Sequence, residues 1–403
     1  MKDKIYIYLA IIINNIGDVI FDLAIMWNIV ALTGDVMNSA YIMATSITFR
    51  AIISIFSGII VDKFNKKKLV QLSIIASTII ISAFMICCNL YVNSIVTIGL
   101  VFILINDISN EVFRKSWVLM CAEKFKDNEY LKFQSILTIS SRITIIFGSI
   151  VVGVMIDTLS LNTIFLFDIA TYILCFVIFS LVSYQPITEV VANNSVKNIF
   201  VSVIDDIRYL FDYVKTSKYI LSFIAIMMTL NLIYGYIPNQ FPLYLATYAG
   251  SASYMSLIKS ALMIGEIVGM ALIVRYSSLV SQTFKIGMIG SAVVMFALIF
   301  AYEIEILVLL SFMLYGIFDS FTQPFFNYTV QQIEPQIRGR ILGGIDSLIL
   351  LTPGVGILII GFLMQINIIL GILFITAVFV LGYMLISLNP QMNKITISNE
   401  VKS

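Results

Sequence analysis

Residues 14–22 read NNIGDVIFD, inside an otherwise apolar run from Ile5 to Leu32. Asn14, Asp18 and Asp22 recur every four residues, the interval that stacks side chains on one helix face. Carboxylates at that spacing can take up and release protons, and the neighbouring carboxamide can hydrogen-bond to either form. Arg50, Asp107, Arg142, Asp168, Lys259, Glu266, Asp319 and Asp346 also interrupt apolar stretches. In mid-membrane such a group costs roughly 2.5–3.5 kcal/mol, so it faces a protein interior or a water-filled path. The chain has no histidine, which excludes a Ser-His-Asp triad, an imidazole proton shuttle and a His-ligated metal. Carboxylates are therefore the proton carriers to consider. Cys87, Cys88, Cys121 and Cys175 lack metal-ligand spacing and read as apolar filler. No G-x-x-x-x-G-K-S/T loop is present, so the chain does not itself hydrolyse ATP. No metal and no cofactor is implied.

The elements that must position these groups are membrane spans. The 403 residues are 60% hydrophobic and 12% charged, about half the charge of an ordinary soluble domain. A helix crossing about 30 Å of hydrocarbon needs roughly 20 apolar residues. Twelve segments meet that length: 5–32, 38–61, 68–90, 94–113, 132–156, 161–184, 219–245, 254–275, 285–301, 305–325, 338–362 and 367–388. The fold class is an all-α membrane protein. The first segment is too long for a signal-peptide core and reads as a retained span. With a cytoplasmic N-terminus, 21 of the 24 basic residues fall on cytoplasmic segments and the opposite loops hold none. The positive-inside rule then sets a multi-pass protein of the cell's inner membrane, with both termini cytoplasmic. A net charge of +1 without a basic tail gives no reason to expect nucleic acid.

The longest break divides the chain into an N-terminal bundle (1–184), a cytoplasmic linker (185–218) with an amphipathic helix, a C-terminal bundle (219–390) and a tail (391–403). The halves echo each other weakly. Gly58 and Gly269 stand 211 positions apart, as do Phe102 and Met313. Asp18 lies 13 residues into its span, roughly 20 Å at 1.5 Å per residue and so near mid-depth. Arg50 lies 12 residues before Asp62 and reaches a similar depth. The expectation is an Asp18–Arg50 pair, with Asp22 gaining and losing a proton; a purely structural salt bridge is the alternative. In the seventh span Tyr234, Tyr236, Phe241 and Tyr244 are expected to form an aromatic wall for substrate. Pro238 and Pro242 are expected to bend that span. Trp27 and Trp117 read as interfacial anchors.

The loop after the second span reads GIIVDKFNKKK. It resembles the major facilitator superfamily signature G-x-x-x-D-R/K-x-G-R/K-R/K, with Gly58, Asp62, Lys63, Lys66 and Lys67 in its positions. Asn65 replaces the second glycine, a mild change because Asn tolerates a left-handed turn. LAIMWNIVALTGDVMNSA and PFFNYTVQQIEPQIRGR resemble the drug-efflux branch that includes macrolide and siderophore exporters. The proline-glycine antiporter signature of the fifth span is reduced to FGSIVVG, and TPGVG stands in the eleventh span.

The resemblance implies two pseudo-symmetric six-helix bundles. Spans 1, 4, 7 and 10 would line a central cavity, flanked by 2, 5, 8 and 11. Asn14, Asp18, Asp22, Arg50, Arg142, Glu266, Asp319 and Asp346 become candidates for proton coupling or the cavity. The gate would comprise Gly58, Asp62, Lys63, Lys66, Lys67, Asp107, Arg114, Arg338 and Arg340, with Asp62 facing the start of the eleventh span. The implied activity is alternating-access export of a hydrophobic or amphiphilic small molecule in exchange for protons. The implied form is a monomer in the lipid bilayer. Uptake of a small polar solute with protons is the nearest rival. A membrane sensor or enzyme is a rival of another class, and the expectation is that the chain is not an enzyme.

Overall fold

A computed structural model describes residues 2–91, 94–125, 127–185, 218–273, 279–332, 349–390 and 392. The helices are α1 (Lys2–Thr33), α2 (Val36–Lys63), α3 (Lys66–Leu90), α4 (Ile95–Lys124), α5 (Asp127–Thr158), α6 (Leu161–Ser180), α7 (Lys218–Tyr234), α8 (Gln240–Ala249), α9 (Ala252–Ile273), α10 (Val280–Leu298), α11 (Glu305–Ser320), α12 (Gln323–Gln332), α13 (Thr352–Ile366) and α14 (Ile368–Leu388). Among the described residues there is no strand. Among the described residues ten stretches are long and apolar enough to cross a membrane, and Tyr219–Tyr234 and Thr352–Ile366 are shorter apolar helices. Together they correspond to the twelve expected segments. The linker helix expected over 185–218 and the tail over 391–403 fall almost wholly outside the described residues.

Sequence chemistry sets the helix ends. Asp35 caps α2 by accepting from the Met37 amide at 2.9 Å. Ser160 caps α6 through the Thr163 amide, and Asn367 caps α14 through the Ile369 amide at 2.8 Å. Each side-chain oxygen satisfies one of the orphan donors of a first helical turn. The bend expected at Pro238 is present: α7 stops at Tyr234 and α8 begins at Gln240.

The helices form two compact units, Met1–Ile199 with Ala246–Ser256, and Phe200–Leu245 with Leu257–Ser403. In the first unit α1 packs on α5 and α6, α3 on α4 and α6, and α2 on α4. Phe84 at its centre packs against Phe21, Phe102 and Phe165. Asp157 ties the stretch 246–256 into this unit. Its carboxylate accepts from the Ala252 and Ser253 amides at 2.9 and 3.0 Å, and from the Ser251 hydroxyl at 2.9 Å.

In the second unit α10 packs on α11 and α14, while α7 packs on α13 and α14. Glycines bring α9 against α11. A methyl group at Gly265 would lie 2.0 Å from the Met313 carbonyl oxygen, and one at Gly316 would lie 2.2 Å from that of Leu262. Close approach of this kind drives helix association where lipid removes the hydrophobic incentive.

Candidate functional site

The first chemical group is built on α1 and α6. Asp18 is half-buried on α1, and one carboxylate oxygen accepts from the Tyr172 hydroxyl of α6 at 3.2 Å. The other accepts from the Asn14 amide nitrogen at 2.9 Å, one turn away on the same face. Asn15, facing elsewhere, donates to the Ser141 hydroxyl of α5 at 2.9 Å. Asp22 is exposed. The NNIGDVIFD stretch thus spends its polar atoms on two neighbouring helices and keeps one carboxylate accessible.

The second group joins α2 and α4. Arg50 lies 3.9 Å from Asp107 and 4.0 Å from Glu111. Asp107 also accepts from the Ser46 hydroxyl at 2.7 Å, and Glu111 from the Arg114 guanidinium at 2.7 Å. Asp107 and Glu111 are buried, while Arg50 and Arg114 are exposed. Carboxylates inside a helix pair are thereby held by cations at its edge, as buried charge requires. The expected Asp18–Arg50 ion pair does not form. The α2–α4 contact brings Arg50 onto the α4 carboxylates instead, and Asp18 satisfies itself with Tyr172 and Asn14.

The third group sits where α3 and α4 meet the chain after α6. Lys66 is buried and pairs with Glu123 at 2.8 Å. The Tyr184 hydroxyl donates to the other Glu123 oxygen. Lys67 donates to the Ser180 carbonyl at 3.0 Å. Asn65 is not in a left-handed turn: at φ −64° it caps α3, accepting from the Lys68 amide at 3.1 Å. Its advantage over glycine is a capping oxygen. Gly58 is not forced by close packing either, since a methyl group there would meet only the Lys115 ammonium, at 3.7 Å, among the described residues. The Asp62 and Lys63 side chains, and all of Arg338, Arg340 and Asp346, lie outside the described residues.

The second unit has its own polar cluster. Asp319 on α11 accepts from the Tyr315 hydroxyl at 3.3 Å. The Tyr234 hydroxyl of α7 is buried beside Asp319 and Thr322. Glu266 on α9 is half-buried and acts on the same tyrosines. Arg142 on α5 of the first unit is also half-buried.

The expected aromatic wall is corrected for two of its four members. Tyr236 and Phe241 are 1% and 0% exposed, too little to meet a substrate. Tyr236 donates to the Met364 sulfur at 3.3 Å, and Phe241 packs on Phe312. The break at Pro238 turns both into the interior. Tyr244, half-buried, donates to the Met364 carbonyl at 2.8 Å.

Sequence reasoning did not assign roles to Tyr172, Ser46 or Tyr184. Tyr172 had a legible signal, because it lies one helical turn from Asp168 on a span otherwise poor in polar groups. Ser46 and Tyr184 had none, since hydroxyls are common in spans and their partners are distant in the chain.

A family model described as Major Facilitator Superfamily matches residues 7–343. The chain belongs to the major facilitator superfamily. This transporter is also similar in fold to solved structures. The nucleoside transporter NupG is 16% identical with a TM-score of 0.71, covering 96% of this chain and 99% of that one. A D-xylose-proton symporter is 13% identical with a TM-score of 0.72, covering 97% and 100%. The human organic anion transporter MFSD10 is 12% identical with a TM-score of 0.61, covering 95% and 98%. These likenesses show the fold. Among curated proteins no sequence match is found. This transporter is thus a multi-pass membrane protein of the secondary-transporter kind, acting on a small molecule across a lipid bilayer.

Proposed function

We propose that this transporter exports hydrophobic or amphiphilic small molecules in exchange for protons, by alternating access of its two six-helix halves. The observation that carries the reading is the half-buried Asp18 on α1, fixed by Tyr172 and Asn14, with the accessible Asp22 one turn away. A carboxylate held by neutral donors rather than by a cation can change its protonation without breaking an ion pair. The Arg50–Asp107–Glu111–Arg114 group is, in this reading, part of the inner gate. The direction of transport comes from the resemblance of the first and tenth spans to drug exporters. Both termini face the cytoplasm of the inner membrane, and the transporter acts as a monomer.

One observation favours a second reading, uptake of a polar solute with protons: a structural neighbour spanning 97% of the chain is a D-xylose-proton symporter. Purified protein in vesicles with an imposed pH gradient separates the two. Export predicts gradient-dependent expulsion of ethidium, a lipophilic cation, and no accumulation of labelled xylose or uridine. Gradient-dependent accumulation of xylose or uridine, with ethidium unmoved, would establish uptake.

A further inference from the structure

Asp168 lies on α6, a helix whose other core-facing residues are Ile164, Phe165, Tyr172, Cys175 and Phe179. Its side chain is 0% exposed. Among the described residues neither carboxyl oxygen has a hydrogen-bond partner. The Thr171 hydroxyl beside it donates at 2.7 Å to the main-chain carbonyl of Asp168. An ionised carboxylate in hydrocarbon-like surroundings with no donor is among the costliest groups a fold can hold.

The sequence makes room for this carboxyl. A methyl group on Gly17 would lie 2.9 Å from Asp168 Oδ1 and 2.5 Å from Thr171 Oγ1. The carboxyl therefore abuts the main chain of α1 one residue from Asp18. The charged groups that face it come from α1: Asp18 and Asp22. Among the described residues no cation from α3 or α5, which also pack on α6, joins them. Tyr172, one turn along from Asp168 on the same helix, lies beside both carboxyls and donates to Asp18. Two neighbouring carboxyls, one of them fully buried, cannot both be ionised cheaply.

We propose that Asp168 is a buried proton-binding site, exchanging its proton with the partly accessible Asp18. In the exchange an O–H bond breaks at one carboxyl and an O–H bond forms at the other. No electrons are transferred, and Tyr172 keeps its own proton count. Asp18 is the port and Asp168 the store. The store stands on α6, outside the helices to which the superfamily resemblance assigns a cavity-lining role. The inference rests on the proton-coupled reading above for its purpose, but its test does not.

The test is infrared spectroscopy of the full chain in vesicles, following the carbonyl stretch of protonated carboxyl groups as pH is raised. The wild type is expected to show a protonated-carboxyl band that diminishes with rising pH. Asp168→Asn, which is nearly isosteric, abolishes that component. Tyr172→Phe keeps the band and shifts its midpoint, which a purely structural Asp168 would not do. Identical pH-difference spectra for the wild type and Asp168→Asn would overturn the proposal. So would a lost component whose intensity did not vary with pH. Should Asp168→Asn not fold, an unshifted Tyr172→Phe titration refutes the proposal alone. Gradient-driven transport with unchanged spectra sinks this inference and leaves proton coupling standing. A titrating Asp168 in a protein indifferent to pH gradients does the reverse.

Discussion

The Tyr172 hydroxyl on α6 donates to the Asp18 carboxylate on α1 at 3.2 Å, joining two helices far apart in the chain. If Asp18 carries the coupling proton, Asp18→Asn abolishes the dependence of transport on a pH gradient while leaving the protein folded. Tyr172→Phe removes one hydrogen bond to a charged group, and slows gradient-driven transport by about tenfold, about 1.4 kcal/mol. Initial rates of ethidium movement in vesicles, with and without a gradient, measure both. An Asp18→Asn protein that remained gradient-driven would end this assignment.

Among the described residues Arg50 is the one cation that reaches both Asp107 and Glu111. Its side chain is 49% exposed, so water screens part of the attraction and the cost of its loss is discounted accordingly. Arg50→Ala is expected to destabilise the fold by about 1–2 kcal/mol, below the range for a fully buried pair. Arg50→Lys recovers part of that, because a compact ammonium cannot span two carboxylates as a guanidinium does. Thermal unfolding of the detergent-purified protein gives the ranking. Equal midpoints for all three proteins would show that the contact contributes nothing.

Lys66 and Glu123 form a more buried pair, at 7% and 23% side-chain exposure. Removing either partner strands the other's charge, so Lys66→Met and Glu123→Gln should each cost about 3 kcal/mol. The double variant should cost less than the sum of the two, since no charge is left stranded. Additive losses in a double-mutant cycle would mean that the two side chains do not interact.

Tyr184 donates to the same Glu123 carboxylate. Burial, and then the Glu123 contact, push its hydroxyl above the ordinary tyrosine value of 10.0. A group whose folded value is raised stabilises the fold fully below its unfolded value, and loses that contribution as pH climbs toward the folded one. The wild type should therefore lose stability above a pH of about 10, and Tyr184→Phe should flatten that alkaline limb. Parallel alkaline limbs for the two proteins would contradict the linkage.

Much of this is legible in the sequence. Apolar length located ten spans and two shorter apolar helices, because a bilayer imposes one length scale on all of them. Four-residue spacing put Asn14 and Asp18 on one face, and they hydrogen-bond there. What spacing could not supply was rotation between helices. Arg50 has the right depth for Asp18, yet the α2–α4 contact points it at Asp107. The same limit hid the burial of Tyr236 and Phe241, which the break at Pro238 turns inward. Asp168 drew attention in the sequence only as a charge in a span. Its significance depends on Gly17 facing it, and that pairing spans two helices far apart in the chain.

Gly265 and Gly269 on α9 face α11 across a gap with no room for a side chain. A methyl group at Gly265 would sit 2.0 Å from the Met313 carbonyl oxygen, and one at Gly269 would sit 2.5 Å from that of Ile317. Both obstacles are backbone atoms, which cannot rotate aside as a flexible side chain could. Either the helices separate and forfeit their dispersion contacts, or the carbonyls tilt and lengthen their own helical hydrogen bonds. Gly265→Ala is therefore expected to cost about 1–3 kcal/mol through overpacking, and Gly269→Ala somewhat less. Gly58→Ala, whose added methyl would, among the described residues, meet only the Lys115 ammonium at 3.7 Å, should change stability by less than about 0.5 kcal/mol. Thermal midpoints in that order, Gly265→Ala lowest and Gly58→Ala nearest the wild type, are the expected result. A Gly265→Ala protein as stable as the wild type would show that α9 and α11 do not meet there.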